Sequence, residues 1–472
     1  MRLLLVNPPH DLERYMGRIS KLKITWAPVG ALYLAAYAES LGHEVRVYDA
    51  QIEDEPLDHV LRSFQPELVG VSCVTSTVYS ALDTLRRAKA ASPRVPTVIG
   101  GVHPTAQPDN FMREPSIDYV AVGEGEHTLG ELMDALEGRR ALHDVAGLVW
   151  EQDEKIVHNP RRALIQDLDS LPFPARRLVA RDRYYVNPDR RASRRFDWML
   201  SSRGCPYDCI FCANRIVAEG RYRGRSIDNV MAEMDELVAR YGVGQIFFHD
   251  DNFNVEQTRT MALCEAMLSR PYKIKWCANL RVDNLSPELL ALMRRAGCVE
   301  ACFGIESAVQ EVVDRLKKNQ EVEEAERNIR LCAKLGITSR VNVILGSPGE
   351  TPDQARETIR WVRRLPADLV KFGIMTPFPG TEMYDIAKAS GRLREDDWTR
   401  YSQMIGYTDG EPPWIPDGWT AAELKSLQRK ANLSHYLSLR PALRLARKIR
   451  SWTDVRELLE GLLTFLRASF AP

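Results

Sequence analysis

The stretch SSRGCPYDCIFCANR, residues 201–215, groups Cys205, Cys209 and Cys212 in the spacing C-x3-C-x2-C, with Phe211 directly before the last cysteine. Thiolates this close in sequence are soft ligands suited to iron–sulfur clusters or zinc. Both centres usually take four protein ligands, so three leave one coordination position open, as catalytic zinc keeps a place for water or substrate. A structural zinc knuckle would have to borrow Cys264 or Cys277. Neither has a near cysteine to complete the paired spacing that such sites use. The nine cysteines are odd in number and otherwise scattered. In a reducing compartment that pattern means a metal site plus ordinary buried thiols, not a disulfide framework.

The elements that must position the triplet form two alternations. A chain of 472 residues exceeds one ordinary core and implies two or three domains. Hydrophobic content of 44% and charged content of 27% describe a globular protein, and a formal net charge of zero gives no global attraction to nucleic acid. The start MRLLLVNPPH lacks the long apolar region of a signal peptide, and the longest apolar run, WAPVGALYLAAYA, falls short of the roughly 20 residues that span a bilayer. The expected compartment is the cytoplasm. Over residues 1–150, the apolar runs RLLLVN, HEVRVYDA, PELVGVS, VPTVIGG and IDYVAVG alternate with helical stretches such as PVGALYLAAYAESLG and VYSALDTLRRAKAA. This predicts an α/β unit with a Rossmann-like parallel sheet covered on both faces. Residues 151–195, rich in proline and charge, read as a linker, with EKIVHNP as a strand of a small hairpin. From 196 to 390 six further strands alternate with helices, beginning with DWMLSSRG and ending with LVKFGIMTPFPGT. They predict a partial TIM-type (β/α)6 barrel with its site at the carboxyl ends of the strands. Residues 391–472 read as a helical C-terminal region.

The triplet follows the first strand of that barrel, and C-x3-C-x-aromatic-C in this place resembles the radical S-adenosylmethionine (SAM) superfamily. The resemblance implies a [4Fe–4S] cluster on Cys205, Cys209 and Cys212, with SAM on the open iron through its amino and carboxylate groups. Reductive cleavage then yields a 5′-deoxyadenosyl radical that abstracts hydrogen. FFHDDNF ends the second strand, where the family holds the methionine amine, with Asp250 and Asp251 in place of the commoner Gly-Gly-Glu. FGIES ends the fourth strand and puts Glu306 where the family contacts ribose or carboxylate. The rival reading of Glu306 is a barrel salt bridge with Arg281. VNVILGSPGE resembles the fifth-strand adenine motif, with Asn342 replacing its first glycine and Gly346, Ser347 and Gly349 in the loop. With Phe211, these are the expected SAM-binding residues.

Ligands on parallel sheets bind beyond the carboxyl ends of the strands. In the first unit those loops are NPPH, SCVTST, GGVHPT and GEGEHT, rich in glycine and hydroxyls and nearly free of cationic side chains. No G-x-G-x-x-G follows the first strand, which argues against a dinucleotide. A five-stranded unit of this kind before such a barrel resembles the cobalamin-binding domain of cobalamin-dependent radical SAM enzymes. Expected cobalamin contacts are Ser72, Thr75, Ser76, Gly100, Gly101, His103, Gly123, Glu124 and Gly125, with Thr77 a further hydroxyl. The D-x-H-x-x-G motif of many cobalamin domains is absent, and His127 reads as a helix-start residue. The resemblance then implies cobalamin without a histidine below cobalt, or a degenerate domain that binds none.

The tail RPALRLARKIRSWTDVRELLEGLLTFLRASF is basic early, has apolar residues at helical spacing, and includes Trp452, Phe465 and Phe470. It reads as a helix packed on the barrel, with peripheral membrane contact as the alternative. The expected function is a cobalamin-dependent radical SAM enzyme that modifies an unactivated carbon, foremost by methyl transfer through methylcobalamin. Oxidative cyclisation like that of magnesium-protoporphyrin monomethyl ester, and a non-catalytic corrinoid or redox sensor, are the alternatives. Implied partners are a small substrate (a lipid, a tetrapyrrole or a natural-product intermediate) and an electron donor such as flavodoxin or ferredoxin, with no nucleic acid.

Overall fold

The computed structural model describes residues 1–20, 25–395, 397–438, 449 and 452–470. The first sheet contains β1 (Arg2–Asn7), β2 (Glu44–Asp49), β3 (Leu68–Ser72), β4 (Thr97–Gly100) and β5 (Tyr119–Ala121), all parallel, in the order 2-1-3-4-5. Strand period two divides β1 between two cores. Leu3 and Leu5 pack with the Val29–Ser40 helix on one face, while Leu4 and Val6 pack with the Val78–Ala91 helix on the other. The hairpin read from EKIVHNP is real. It consists of β6 (Leu148–Gln152) and β7 (Lys155–His158), and it extends the same sheet in antiparallel fashion past residue 150.

Residues 159–195 correct the expectation of a linker. They contain only short 3-10 turns, yet Ile165, Leu168, Leu171, Val179, Tyr184 and Val186 are buried in one core. That core also holds Leu3 and Leu32 of the first unit and Trp198, Phe247 and Cys277 of the second. Arg176 is wedged between the two at 5% exposure, donating to the Glu233 carboxylate at 2.5 Å and to the Trp198 carbonyl at 2.9 Å. The segment is a buried strap that joins the domains. Its apolar residues follow neither helical nor strand period, which hid their role.

The second sheet runs β8 (Phe196–Met199), β11 (Gln245–Phe248), β12 (Lys275–Leu280), β13 (Cys298–Glu306), β14 (Thr338–Leu345) and β15 (Leu369–Ile374). All six strands are parallel and β15 does not pair with β8 among the described residues, so the barrel is open as expected. Between β8 and β11 lies a short antiparallel ribbon, β9 (Ser202–Arg203) and β10 (Arg223–Gly224), which the sequence reading missed. The free edge of β15 is satisfied by the tail. The Ala421–Tyr436 helix lays Gln428 and Asn432 against it, Gln428 Nε2 donating to the Phe372 carbonyl at 2.8 Å and the Asn432 amide oxygen accepting from Phe372 N at 3.2 Å.

Residues 397–420 hold the short 3-10 helices Trp398–Arg400 and Ile405–Tyr407 among turns and bends, ahead of the longer helices of the tail. The Trp452–Phe470 helix docks through Asp454 on Arg191 at 3.0 Å and Glu457 on the Tyr185 hydroxyl at 3.0 Å, with Phe465 against Tyr407 and Tyr436. Trp452 is 87% exposed. The basic part of the tail, residues 439–448, 450 and 451, and the Phe470 side chain lie outside the described residues. No described helix is long and apolar enough to cross a membrane.

Candidate active site

The ribbon β9–β10 holds the two ends of the cysteine loop together. Gly204 leaves β9 at φ +85°, and a Cβ there would lie 1.9 Å from the Arg221 carbonyl oxygen, so only glycine fits. Inside the loop Ile210 is 3% exposed among Val312, Leu316, Met375 and Met383. Its amide donates to the Leu316 carbonyl at 3.1 Å, and its carbonyl accepts from Met383 N at 2.9 Å. The cysteines before and after this anchor are partly exposed and all are free thiols. Burial pushes the Cys212 thiol up to about 11 and raises that of Cys205, with repulsion from the neighbouring Cys209 adding to both. Cys205 and Cys212, crowded thiols that resist ionisation by themselves, suit a cationic centre that would stabilise their thiolates.

No group of three His, Cys, Asp or Glu side chains among the described residues is arranged around a single ion. Cys264 and Cys277 are buried in the apolar cores and remain outside the site.

The two aspartates after β11 anchor the root of this loop. Asp250 is fully buried and accepts from Ser201 N at 3.0 Å, from Ser201 Oγ at 2.7 Å and from Ser202 Oγ. Its carboxylate is spent on the protein, which corrects the expectation that it faces SAM. Asp251 accepts from Gly204 N at 2.9 Å and opens to the barrel mouth.

Glu306 sits at a bulge in the β13–β14 pairing at φ +68°, an unusual conformation for a residue with a side chain. Its salt bridge is with Lys318 at 2.7 Å. Arg281 instead pairs with Asp283 at 2.6 Å and lies 3.7 Å from the centre of the Tyr207 ring. A Cβ on Gly304 would strike the Glu306 carboxylate at 2.4 Å, so that glycine makes room for the pair. The Lys318 ammonium is 5.8 Å from the Phe211 ring, which brings the pair beside the cysteine loop. Sequence reasoning passed over Lys318 because a lysine in a KKNQ turn looks like surface.

In the fifth-strand loop the Glu350 carboxylate accepts from Gly346 N at 2.6 Å and Ser347 N at 3.1 Å, and burial raises its pKa to about 7. Ser347 Oγ is fully buried without a hydrogen-bond partner among the described residues. An orphan hydroxyl in the expected adenine loop fits a ligand that would satisfy it.

On the first domain a cavity of about 250 Å³ lies between the two units. It is lined by Tyr15, Thr75, Ser76 and His103 from one side and by Ala213, Phe378 and Pro379 from the other. Ala213 directly follows Cys212. The His103 Nδ1 is 3.0 Å from Thr75 Oγ1 and its ring stands edge-on to Trp398 at 4.5 Å, and burial lowers its pKa to about 4, so it is neutral. Gly101 shapes the site: at φ +110° its Cβ would meet the Cys73 carbonyl at 2.4 Å.

Of the other expected contacts, Ser72 and Gly100 end their strands outside the cavity lining, and Thr77 bonds the Val74 carbonyl at 3.1 Å. Gly123 donates its amide to Thr105 Oγ1 at 3.1 Å, and Gly125 packs on Leu34. Glu124 is corrected outright. It faces the barrel, accepting from Arg223 at 2.8 Å, Arg203 at 3.1 Å and Ile165 N at 2.8 Å, while Glu126 takes the other end of Arg203 at 2.6 Å. This acidic pair latches the first domain onto the ribbon that carries the cysteines. His127 opens the Glu126–Leu136 helix and packs on Tyr37, as its helix-start reading implies.

Comparison with known proteins agrees with this arrangement. Residues 17–133 match the B12 binding domain and residues 199–362 match the Radical SAM superfamily. An uncharacterized methyltransferase of Pyrococcus horikoshii is 32% identical over 93% of this chain and 93% of its own. An anaerobic magnesium-protoporphyrin IX monomethyl ester cyclase of Rubrivivax gelatinosus is 29% identical over 90% of this chain and 75% of its own. Among solved structures, the radical SAM methyltransferase TsrM of Kitasatospora setae, with cobalamin and a [4Fe–4S] cluster bound, has the same fold: TM-score 0.73 at 19% identity, covering 98% of this chain and 99% of that one. With a B12-type sheet latched onto a cysteine-bearing barrel, and a relative of this identity along nearly the whole chain, the protein belongs to the cobalamin-binding radical SAM family.

Proposed function

We propose that the protein is a cobalamin-dependent radical SAM methyltransferase that moves a methyl group from SAM to an unactivated carbon of a small molecule. The observation that carries this reading is the shared cavity: Thr75, Ser76 and His103 of the B12-type sheet meet Ala213, the residue next to the cluster ligand Cys212, across one space. When bound, the reduced cluster supplies radical cleavage of SAM and cobalamin supplies methyl carriage.

The residues of the chain have separable tasks. Cys205, Cys209 and Cys212 would hold the cluster, and Asp250 and Asp251 keep the loop root in place. Glu306, fixed by Lys318, and the Gly346–Ser347–Gly349 backbone would orient SAM beside Phe211. Tyr15, Thr75, Ser76 and His103 would hold the corrinoid, with the neutral His103 kept apolar in character by its burial. Phe378 and Pro379 line the same cavity and would exclude water from it, and Trp398 packs edge-on against His103.

Oxidative cyclisation is the second reading, favoured by the 29% identity to the Rubrivivax cyclase. The products of SAM separate the two. Anaerobic incubation of reconstituted protein with SAM, reductant and cobalamin should release S-adenosylhomocysteine, the remnant left when SAM gives its methyl group to the reduced cobalamin. Formation of 5′-deoxyadenosine with no S-adenosylhomocysteine would overturn methyl transfer and leave cyclisation.

A further inference from the structure

The Trp452–Phe470 helix presents an apolar face to the outside. A surface helix of a globular protein ordinarily buries its apolar stripe and turns its polar face to water. Here two of the acids point inward: Asp454 bonds Arg191 and Glu457 bonds the Tyr185 hydroxyl, each at 3.0 Å. Phe465 and Ala468 complete that inner face against Tyr407. The side chains that point away are Trp452, Leu459, Leu462 and Leu463, at 87, 54, 40 and 51% exposure, with Val455 and Leu466 partly exposed among them. They recur at helical spacing and so form one stripe along the helix. On its rim the Glu460 carboxylate is engaged by Arg456 at 2.8 Å, and Arg467 adds a further cation. A contiguous apolar stripe with a polar rim marks a docking surface.

The neighbouring charge indicates what docks there. Residues 439–451 contain four arginines, one lysine and no acid, and they run directly into Trp452. The chain as a whole has no net charge, so this is a local concentration of positive charge beside the apolar stripe. Leucines on one face, a tryptophan at the margin and cations next to it are what hold a helix in the interface of an anionic bilayer. A second copy seated on this face about a two-fold axis would set the two basic stretches against each other, which disfavours self-association here. No described helix is long and apolar enough to cross a membrane, so the contact is with the membrane surface.

We propose that the outer face of the Trp452–Phe470 helix docks on an anionic lipid bilayer, with Trp452 and the exposed leucines entering the boundary between headgroups and acyl chains and the adjoining cations meeting lipid phosphates. The contact needs neither the cluster nor cobalamin and is independent of the proposed methyl transfer.

The test is flotation of the anaerobically reconstituted full chain with vesicles of phosphatidylcholine alone and of phosphatidylcholine and phosphatidylglycerol in equal parts. Binding to the anionic vesicles should be about tenfold or more stronger than to the neutral ones and should weaken as salt rises. The double variant Leu459→Glu/Leu463→Glu should bind the anionic vesicles about tenfold or more weakly. No binding to anionic vesicles, equal binding to both kinds, or unchanged binding of the double variant would overturn the proposal and leave the face to a protein partner. Should the double variant not fold, a conservative one gives the answer. Anionic vesicles with brominated acyl chains should quench the tryptophan fluorescence of the wild type, and Trp452→Phe should lose most of that quenching; equal quenching in both overturns the proposal. Sedimentation velocity without vesicles should show a monomer, whereas a dimer that separates in the double variant would assign the face to a second copy and refute the membrane contact.

Discussion

Replacing Glu124 by glutamine tests the idea that the cobalamin-type domain is locked to the cluster-bearing ribbon by buried charge. The Glu124 side chain is 5% exposed and Arg223 is 6% exposed, and their 2.8 Å contact is reinforced by Arg203 and the Ile165 amide. Glutamine keeps the shape but turns a carboxylate that accepts from two guanidiniums into an amide with only one acceptor oxygen. Breaking a buried pair by neutralising one partner costs about 3–5 kcal/mol, so a loss of about 3 kcal/mol at pH 7 is expected for this conservative change. Guanidinium unfolding followed by tryptophan fluorescence measures it, and a cycle with Arg223→Met should give a coupling of about 1.5 kcal/mol or more.

The pH dependence of the same pair has a definite sign. Burial pushes the Glu124 carboxyl up, but Arg223 and Arg203 outweigh it and hold the group below its ordinary value. A lowered folded pKa contributes stability above the unfolded value of about 4.3 and loses it as pH falls through the folded value. The gap between wild type and Glu124→Gln should therefore be full at pH 7 and close on acidification below about pH 4. A gap under about 0.5 kcal/mol at pH 7, the size of an ordinary surface substitution, or a coupling near zero would refute the latch.

Three further outcomes follow from other contacts. Gly204→Ala, which drives a Cβ into the Arg221 carbonyl, should cut iron incorporation on reconstitution by more than half, and full incorporation would show that the loop can relax. Lys318→Met leaves Glu306 as a buried unpaired charge and should weaken SAM binding by about tenfold or more in equilibrium dialysis, against no change if the pair serves the fold alone. Glu350, raised to about 7, favours its protonated form in the folded state, so it lowers stability as pH rises from about 4.5 to 7. Glu350→Gln should accordingly be more stable relative to wild type at pH 8 than at pH 5, by about 2 kcal/mol, read from denaturant midpoints; a constant difference would contradict the assignment.

Strand and helix periodicity made both sheets legible, because parallel strands buried on two faces read as short, nearly continuous apolar runs such as RLLLV and VNVIL. The cysteine loop was legible because three ligands close in sequence need no fold to be seen. Contacts between distant segments were not. The latch joins Glu124 to Arg223, and the strap residue Arg176 meets Glu233; neither pair has a spacing rule that announces it. Asp250 was found by position but given the wrong partner, since a strand-end carboxylate can turn outward to a ligand or inward to serines and only packing decides. Lys318 was missed because lysine is ordinarily a surface residue, and this one is held inside by its pair with Glu306.

The central claim is that three cysteines, not four, hold a cluster whose open iron is reserved for SAM. The most direct test is anaerobic incubation of the reconstituted protein with SAM and dithionite, with 5′-deoxyadenosine quantified by chromatography for wild type and for Cys209→Ala. The account predicts reductant-dependent 5′-deoxyadenosine from wild type and none from Cys209→Ala. Absence of the product from wild type carrying a full cluster, or equal amounts from both proteins, would contradict it.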